Sequence, residues 1–511
     1  MNFKQNIVYK KMAISMKITA IRPIALVISF TLLSCKDKVK TVEQQDEPTK
    51  PNIVYILTDQ WRGAALGYAG DPNVKTPHLD ALAKEAVNFT NAVSVTPVCT
   101  PHRASLLTGK YPITTGMFLN DLYLPSEELC MAEIFKAEGY NTAYWGKWHL
   151  DGHRRSAYTP KERRQGFDYW KALECSHDYN KMPYYDNDNP EVKYWGKYSP
   201  FAIVEDANTY LEKQAKDDTP FLAVVSIATP HFPHGSAPQK YKDMYSPESL
   251  ILNPNVSPKF EARSREELQG YYAHATATDE AIGLLLKQMD ALGLNENTIV
   301  VFSSDHGEMM GANDVRPFQK QVAWDESIRV PFLIKYPGID KQKGVTVNAP
   351  INTPDILPSL LGLSNIKIPD GIEGEDLSEL IKNPDPEADR EALVMNVAPF
   401  AGGYPNLPYR AIRTKQYTYA RTTEGPSMFF DNVADPYQQN NLLGKPEFET
   451  LQNELDAKLN KKLAELGDEF KSRDYYLKKY NYVFGKNKPA IPYWEFNNGK
   501  GEVQSPIPVT Q

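Results

Sequence analysis

Three uninterrupted apolar runs decide what this chain can fold into: Asn52 to Leu57 (NIVYIL), Phe221 to Ile227 (FLAVVSI) and Thr298 to Phe302 (TIVVF). None alternates apolar with polar residues, so each reads as a strand covered on both faces, the condition of central strands in a parallel sheet. Helical patterns lie between them. Over residues 264–292, Leu268, Tyr272, Ala275, Ile282, Leu285, Leu286 and Met289 fall near one stripe. Strands alternating with helices predict an α/β domain, a mostly parallel sheet sandwiched by helices. Ligands in such sheets gather at the carboxyl ends of the strands. Two of the runs lead into a polar pair there, Asp59-Gln60 and Asp305-His306.

The pattern changes near residue 395. Tyr409 to Tyr419 reads as short paired strands, followed by Phe429-Phe430-Asp431 and a turn at Asp435-Pro436. Leu451, Leu455, Leu459, Leu463 and Leu466 then recur at helical spacing, as a core-packing stripe. The expected organisation is a catalytic domain over 51–395, a smaller C-terminal subdomain of antiparallel sheet and covering helix over 396–485, and a tail over 486–511. With 41% hydrophobic and 24% charged residues, the chain is neither disordered throughout nor a multi-span membrane protein.

Residues 1–34 are expected to be an export signal. Lys17 and Arg22 precede an apolar stretch from Ile24 to Leu33, too short for a bilayer that needs about 20 residues. Met16 offers an alternative start. Leu32, Leu33, Ser34 and Cys35 resemble the bacterial lipobox, which implies lipidation of Cys35, a polar tether over 35–50 and attachment to the cell envelope; an ordinary signal peptide with an incidental cysteine is the plainer reading. The whole chain carries −7, and Lys4, Lys10, Lys11, Lys17 and Arg22 all lie in the leader, so the body is more acidic still. That excludes non-specific nucleic-acid binding, but a focused cluster of cations in a cleft can still hold an anionic substrate.

The chemistry concentrates around Cys99-Thr-Pro-His-Arg103 and Leu107-Thr-Gly-Lys110. Pro101 suits the first turn of a helix, which puts Cys99 at its positive end. Arg103, one turn on, can grip an oxyanion. A thiol nucleophile and a buried structural cysteine both remain open on this reading. Asp59, Gln60, Asp305 and His306, if strand ends bring them together, could surround a cation: oxygen ligands suit Ca²⁺ or Mg²⁺ and the imidazole also tolerates a transition metal. Each pair alone could equally cap a loop.

Cys-x-Pro-x-Arg followed by Leu-Thr-Gly-Lys resembles the signature of the formylglycine-dependent (type I) sulfatases of the alkaline-phosphatase-like superfamily. Further matches run through Pro51 to Gln60, Thr76 to Asn91, Gly146 to His149, Pro230 to Pro233, Ser304 to Glu308 and Lys320 to Pro331, so the resemblance spans about 51–485. It implies that a formylglycine-generating maturation enzyme oxidises Cys99. The hydrated aldehyde then attacks sulfur with one oxygen and expels sulfate with the other. It further implies one divalent metal, Ca²⁺ first, held by Asp59, Gln60, Asp305, His306 and residue 99, and a catalytic set of Cys99, Arg103, Lys147, His149, His231 and Lys320. Arg103, Lys147 and Lys320 would hold the sulfate oxygens, His231 would protonate the leaving alcohol, and His149 would act as base for sulfate release. Gln60 and His306 depart from the family's more usual Asp and Asn, which puts the metal's identity in doubt and resembles phosphonate monoester and phosphodiester hydrolases. The lipobox and the acidic, Lys- and Asn-rich chain resemble polysaccharide sulfatases of Bacteroidetes, with sulfated algal glycans such as ulvan as first substrate and glycosaminoglycans second. The non-enzymatic rival is a decayed, glycan-binding lipoprotein.

Other residues are weighed and set aside. His234 is an alternative to His231, and His153, Arg154 and Arg155 belong to a solvated loop or an anion-binding one. Arg316 and His274 are left without a role, and His78 and His177 are read as structural or surface. The tyrosines of 179–198 with Trp195 could form a sugar-stacking wall, and Cys130 and Cys175 could pair or remain free.

Overall fold

The computed structural model describes residues 50–482 apart from 154, 340–341 and 401–406. The expected signal, the tether up to residue 49 with Cys35, and the 486–511 tail lie outside the described residues.

Sixteen strands occur among the described residues. In chain order they are β1 Asn52–Asp59, β2 Val87–Phe89, β3 Ala92–Val93, β4 Asn141–Lys147, β5 Tyr169–Leu173, β6 Pro183–Asp186, β7 Asn189–Tyr194 and β8 Phe221–Pro230. Then follow β9 Thr298–Ser304, β10 Phe332–Lys335, β11 Thr346–Val347, β12 Ile351–Asn352, β13 Ala392–Asn396, β14 Tyr409–Arg413, β15 Tyr417–Thr422 and β16 Gly425–Asp431. Ten form one sheet in the order β11-β2-β10-β9-β1-β8-β4-β5-β6-β7. Its centre, β9-β1-β8-β4-β5, is parallel throughout, and antiparallel pairs flank it on both sides. The three apolar runs are the adjacent strands β9, β1 and β8, so their lack of alternation has the expected cause: helices and loops cover both faces.

The helix Glu261–Ala291 carries the predicted stripe, with Leu268, Tyr272, Ala275, Ile282, Leu285 and Met289 buried. It packs with the helix Ser199–Gln214 on one face of the sheet. The other face is covered by the helices Cys99–Thr108, Met131–Ala137 and Ile356–Leu363.

The C-terminal sheet is a four-stranded antiparallel meander, β13 to β16. The helix Glu449–Glu465 buries Leu455, Leu459 and Leu463, and packs on β14 and β15. β13 starts at Ala392, inside the stretch assigned from sequence to the larger domain. Leu393, Ile412, Tyr419 and Phe429 join the same apolar cluster as Ile53 and Tyr55, so the two sheets share a core.

Candidate active site

Register brings the chemistry together. Thr58 on β1 pairs with Ser304 on β9, and Asp59 pairs with Pro230 on β8, so Asp59, Asp305 and His231 leave neighbouring strand ends on one rim. β4 ends beside them at Lys147. Gly146 permits that approach: its φ is +83°, and a Cβ there would lie 1.8 Å from the Ser226 carbonyl oxygen. These ends open on a cavity of about 400 Å³ lined by Cys99, Asp121, Lys147, His149, Arg155, Cys175, His177, His231, Phe232, Phe318 and Lys320, among others.

The helix Cys99–Thr108 begins at Cys99 and is buried along its whole length. Its unsatisfied first-turn N–H groups make that end positive, and Thr100 N–H is taken by Asn120 Oδ1 at 3.0 Å. Cys99 Sγ lies 3.2 Å from His306 Nε2, 3.8 Å from Lys320 Nζ and 3.8 Å from Asp59 Oδ1. Burial and Asp59 push this thiol up, but Lys147, Lys320 and His306 outweigh them and hold it well below an ordinary thiol. Residue 99 is thus built to carry negative charge.

Below it, Asp59, Asp305, His306 and Cys99 place one ligand atom each within 4.8 Å of one another, all buried. His306 Nδ1 donates to the Gly307 carbonyl at 3.0 Å, which leaves the Nε2 lone pair directed at the cluster, 3.6 Å from Asp59 Oδ1 and 3.5 Å from Asp305 Oδ1. Two like charges in one buried site push the Asp305 carboxyl up, through burial first and Asp59 second. Asp59 is desolvated too, but Lys147 foremost, with Arg103, holds it well below the usual carboxylate range. Two carboxylates and an aimed imidazole lone pair fit a divalent cation.

Arg103 and Gln60 take partners that spacing did not specify. Arg103 does not line the cavity. Its Nε and one terminal nitrogen donate to Asp305 Oδ2, and the other terminal nitrogen donates to the Lys147 carbonyl and Ser226 Oγ. Its place is beneath the cluster. Gln60, at φ +63°, directs its backbone N–H to Asp305 Oδ1 at 3.1 Å, but its side-chain oxygen accepts from Lys320 Nζ at 2.9 Å and its amide donates to Glu308. The side chain thus links Lys320 to Glu308 beside the acidic cluster.

Lys147 pairs with Asp59, and Lys320 Nζ reaches His231 Nε2 at 3.2 Å. His231 Nδ1 donates to the Phe232 carbonyl at 2.8 Å, so Nε2 is the accepting nitrogen. Burial, aided by Lys320 and His177, pushes the imidazole well below its usual range. His149 follows Lys147 not along an extended segment but through a left-handed turn at φ +62°. Its pKa is raised to about 9: burial lowers it, and Cys175, the Asp121 hydrogen bond and Cys99 outweigh that.

Some residues set aside from sequence enter the site. His177 stacks on His231, with centroids 4.8 Å apart at 12°, so it is a cavity residue rather than a surface one. Arg155 is fixed to Asp121 at the cavity wall instead of lying in a solvated loop. His234 faces Glu267 at 3.1 Å, and Trp195 stacks on Tyr184 within the apolar core, away from the cavity. Cys130 and Cys175 are both free thiols. Asp121 was not anticipated, because a single acid without a motif gives no signal, and Glu308 was given no role although it closes the Ser304 to Glu308 match.

A nucleophile at a helix N-terminus, cations on its open side and a cation cradle beneath define a hydrolase for esters of tetrahedral oxyanions. The chain belongs to the sulfatase family, whose profile matches residues 51–366, and a second profile, the C-terminal region of N-sulphoglucosamine sulphohydrolase, matches 314–465. It is 32% identical to an endo-4-O-sulfatase of Bacteroides thetaiotaomicron, over 81% of this chain and 91% of that one. To an ulvan-active sulfatase of Formosa agariphila it is 25% identical, over 84% and 85%. It superposes on the crystal structure of the sulfatase YidJ of Bacteroides fragilis with a TM-score of 0.75 and 31% identity, covering 85% of this chain and 99% of that one. The protein is a sulfuric ester hydrolase, and its family implies both a divalent metal and a formylglycine.

Proposed function

We propose that this enzyme removes sulfate from a 4-O-sulfated polysaccharide, at internal positions, with residue 99 as formylglycine and Ca²⁺ in the cluster of Asp59, Asp305 and His306. The observation that carries it is the placing of Cys99, at a buried helix N-terminus 3.2 Å from His306 and open to a cavity of about 400 Å³. Formylglycine would supply a hydrated aldehyde, one oxygen for attack and one for release. The metal would supply positive charge to a sulfate oxygen and to the nucleophile.

The chain's own residues do the rest. Lys147 and Lys320 present ammonium groups to the incoming sulfate. Lys320 and His231 together hold a proton on the side where the alcohol departs, with the Nδ1–Phe232 bond fixing the ring. Arg103 fixes Asp305 and the end of β4. The greater identity to the endo-4-O-sulfatase supports 4-O-sulfate ahead of ulvan.

Sulfate release should be measured from 4-O-sulfated glycosaminoglycan chains, from ulvan and from paired aryl sulfate and aryl phosphodiester substrates. Peptide mass should report conversion of Cys99 in the same preparation. Faster phosphodiester than sulfate hydrolysis by converted protein would refute the reaction, and ulvan preference would refute the substrate. Binding without any turnover would favour the non-catalytic lipoprotein.

The sequence also supports export and lipid anchoring through Cys35, with maturation by a formylglycine-generating enzyme. A Cys35→Ala variant that still partitions wholly with membranes would refute the anchor. Among the described residues no helix is long and apolar enough to cross a membrane.

A further inference from the structure

Asp121 and His149 are both non-glycine residues in the left-handed region, at φ +63° and +62°, and they face each other across the cavity wall. Such conformations are costly and persist where surrounding contacts impose them. Here the imposing residue is Thr100, next to the nucleophile. Its hydroxyl donates to the His149 carbonyl at 2.8 Å and accepts from Asp121 N–H at 3.2 Å. One side chain thus sets both backbones relative to residue 99.

The side chains are fixed as tightly. His149 Nε2 meets Asp121 Oδ1 at 2.8 Å, and Arg155 grips both oxygens of the same carboxylate at 2.9 and 3.1 Å. A carboxylate paired with arginine only accepts hydrogen bonds. In the neutral ring, the form that can act as base, the proton therefore sits on Nε2 and the lone pair on Nδ1. That Nδ1 is buried and has no hydrogen-bond partner among the described residues, while His149 and residue 99 line the same cavity.

We propose that Asp121, clamped by Arg155, is the positioning residue that fixes the tautomer of His149 so that Nδ1 takes the proton whose removal releases sulfate. The inference rests on the formylglycine reading above. The proton of the free hydroxyl at residue 99 passes to Nδ1, and its O–H electron pair becomes the new carbonyl bond. The bond from residue 99 to the sulfate oxygen breaks with its electron pair leaving on sulfate.

The test uses mature enzyme and an Asp121→Ala variant. We expect kcat to fall at least about 100-fold, the scale of a lost general base, and KM to fall with it, because kcat/KM reports the attack step that the variant leaves intact. Intact mass under excess substrate should show one SO₃ unit retained on the variant, because attack continues while release stalls. Nitrogen-15 spectra of the wild-type enzyme, assigned with His149→Gln and followed upward in pH until the ring is neutral, should then show the His149 proton on Nε2 alone. A variant that turns over like wild type, or that slows without retaining SO₃, overturns the role. So does a neutral wild-type His149 whose single proton is on Nδ1, a reading that stands even if Asp121→Ala fails to fold. Failure of the formylglycine reading is distinct: mature wild type would then release no more sulfate than Cys99→Ala, whatever the tautomer.

Discussion

Arg103 meets Asp305 with two nitrogens on a single oxygen, Nε at 3.1 Å and a terminal nitrogen at 3.0 Å from Oδ2. Both side chains are essentially buried. Asp305 is left with Oδ1 toward the metal cluster, so the arginine fixes which carboxylate oxygen a cation meets. Removing the guanidinium would strand a buried acid. Arg103→Ala is therefore expected to lose about 3–5 kcal/mol of stability, the usual consequence of breaking a buried pair, and to lose metal binding with it. Arg103→Lys keeps the charge without the fork, so it should fold while turning over slowly. Denaturant titration and metal content of the two variants check this; an Arg103→Ala protein as stable as wild type would contradict it.

Glu308 is fully buried and has each of its oxygens occupied. Oε1 accepts from the backbone of Met310 and Phe318 at 2.9 and 2.8 Å, and Oε2 accepts from the Gln60 amide. That last bond decides which way Gln60 faces, and so which of its ends meets Lys320. Glu308→Gln presents an amide donor to an amide donor. Gln60 should then turn, setting its own NH₂ against the Lys320 ammonium. A loss of about 10–100-fold in activity, the usual scale for an outer-shell partner, is expected with little change in melting temperature. Unchanged kinetics would mean that Gln60 is oriented by something else.

The parts of this site that were legible in the sequence are those with periodicity or a motif behind them. β1, β8 and β9 announced themselves because a strand buried on both faces cannot alternate, and Cys99 because Pro101 and Arg103 stand at helical offsets from it. Arg103 and Gln60 were placed in the site, but the protein partners they take there were not legible. Spacing shows which residues share an element's end, not which of several nearby charges a guanidinium or an amide will choose. Asp121 was invisible for a related reason: its role arises from a loop that returns to the site and from left-handed residues such as His149 that no local preference predicts. Glu308 stood within a matched motif, but its hold on Gln60 was not legible from it. The small sheet was expected, but its first strand, β13, lay on the other side of the proposed boundary because the two sheets share one core.

Among the described residues, the two cysteines outside the catalytic motif should behave oppositely. Burial raises the Cys175 thiol, but Lys147, Arg155, His149 and His177 outweigh it and hold it well below an ordinary thiol, and it lines the active cavity. Cys130 is pushed up by burial, Glu133 and Glu128, and sits at the start of the helix Met131–Ala137 in the core. Thiolate is the reactive form. Brief treatment of native protein with iodoacetamide near neutral pH is expected to label Cys175, spare Cys130, and abolish turnover by filling the cavity. Peptide mapping with and without competing sulfate reads this directly. Labelling of Cys130 first, or full activity after labelling of Cys175, would be inconsistent with the geometry.

His274 gives the fold a defined acid sensitivity. It is buried on the helix Glu261–Ala291, accepts a hydrogen bond from the Tyr198 hydroxyl at Nδ1, and directs Nε2 to the Pro233 carbonyl at 3.3 Å. Both bonds suit the neutral ring, and burial, with His234 adding to it, lowers its pKa to about 3. An unfolded chain titrates this residue near about 6.5. Between the two values the unfolded state binds a proton that the native state refuses, so stability falls as pH drops through that window and stops falling from this cause below it. The slope from one such group reaches about 1.4 kcal/mol per pH unit. His274→Gln can keep both hydrogen bonds, its NH₂ facing Pro233 and its oxygen facing Tyr198, without titrating. Denaturation midpoints compared across the window should show the variant losing less stability than wild type on acidification, while near neutral pH the two remain close. Parallel curves would show that His274 accepts its proton in the native state after all.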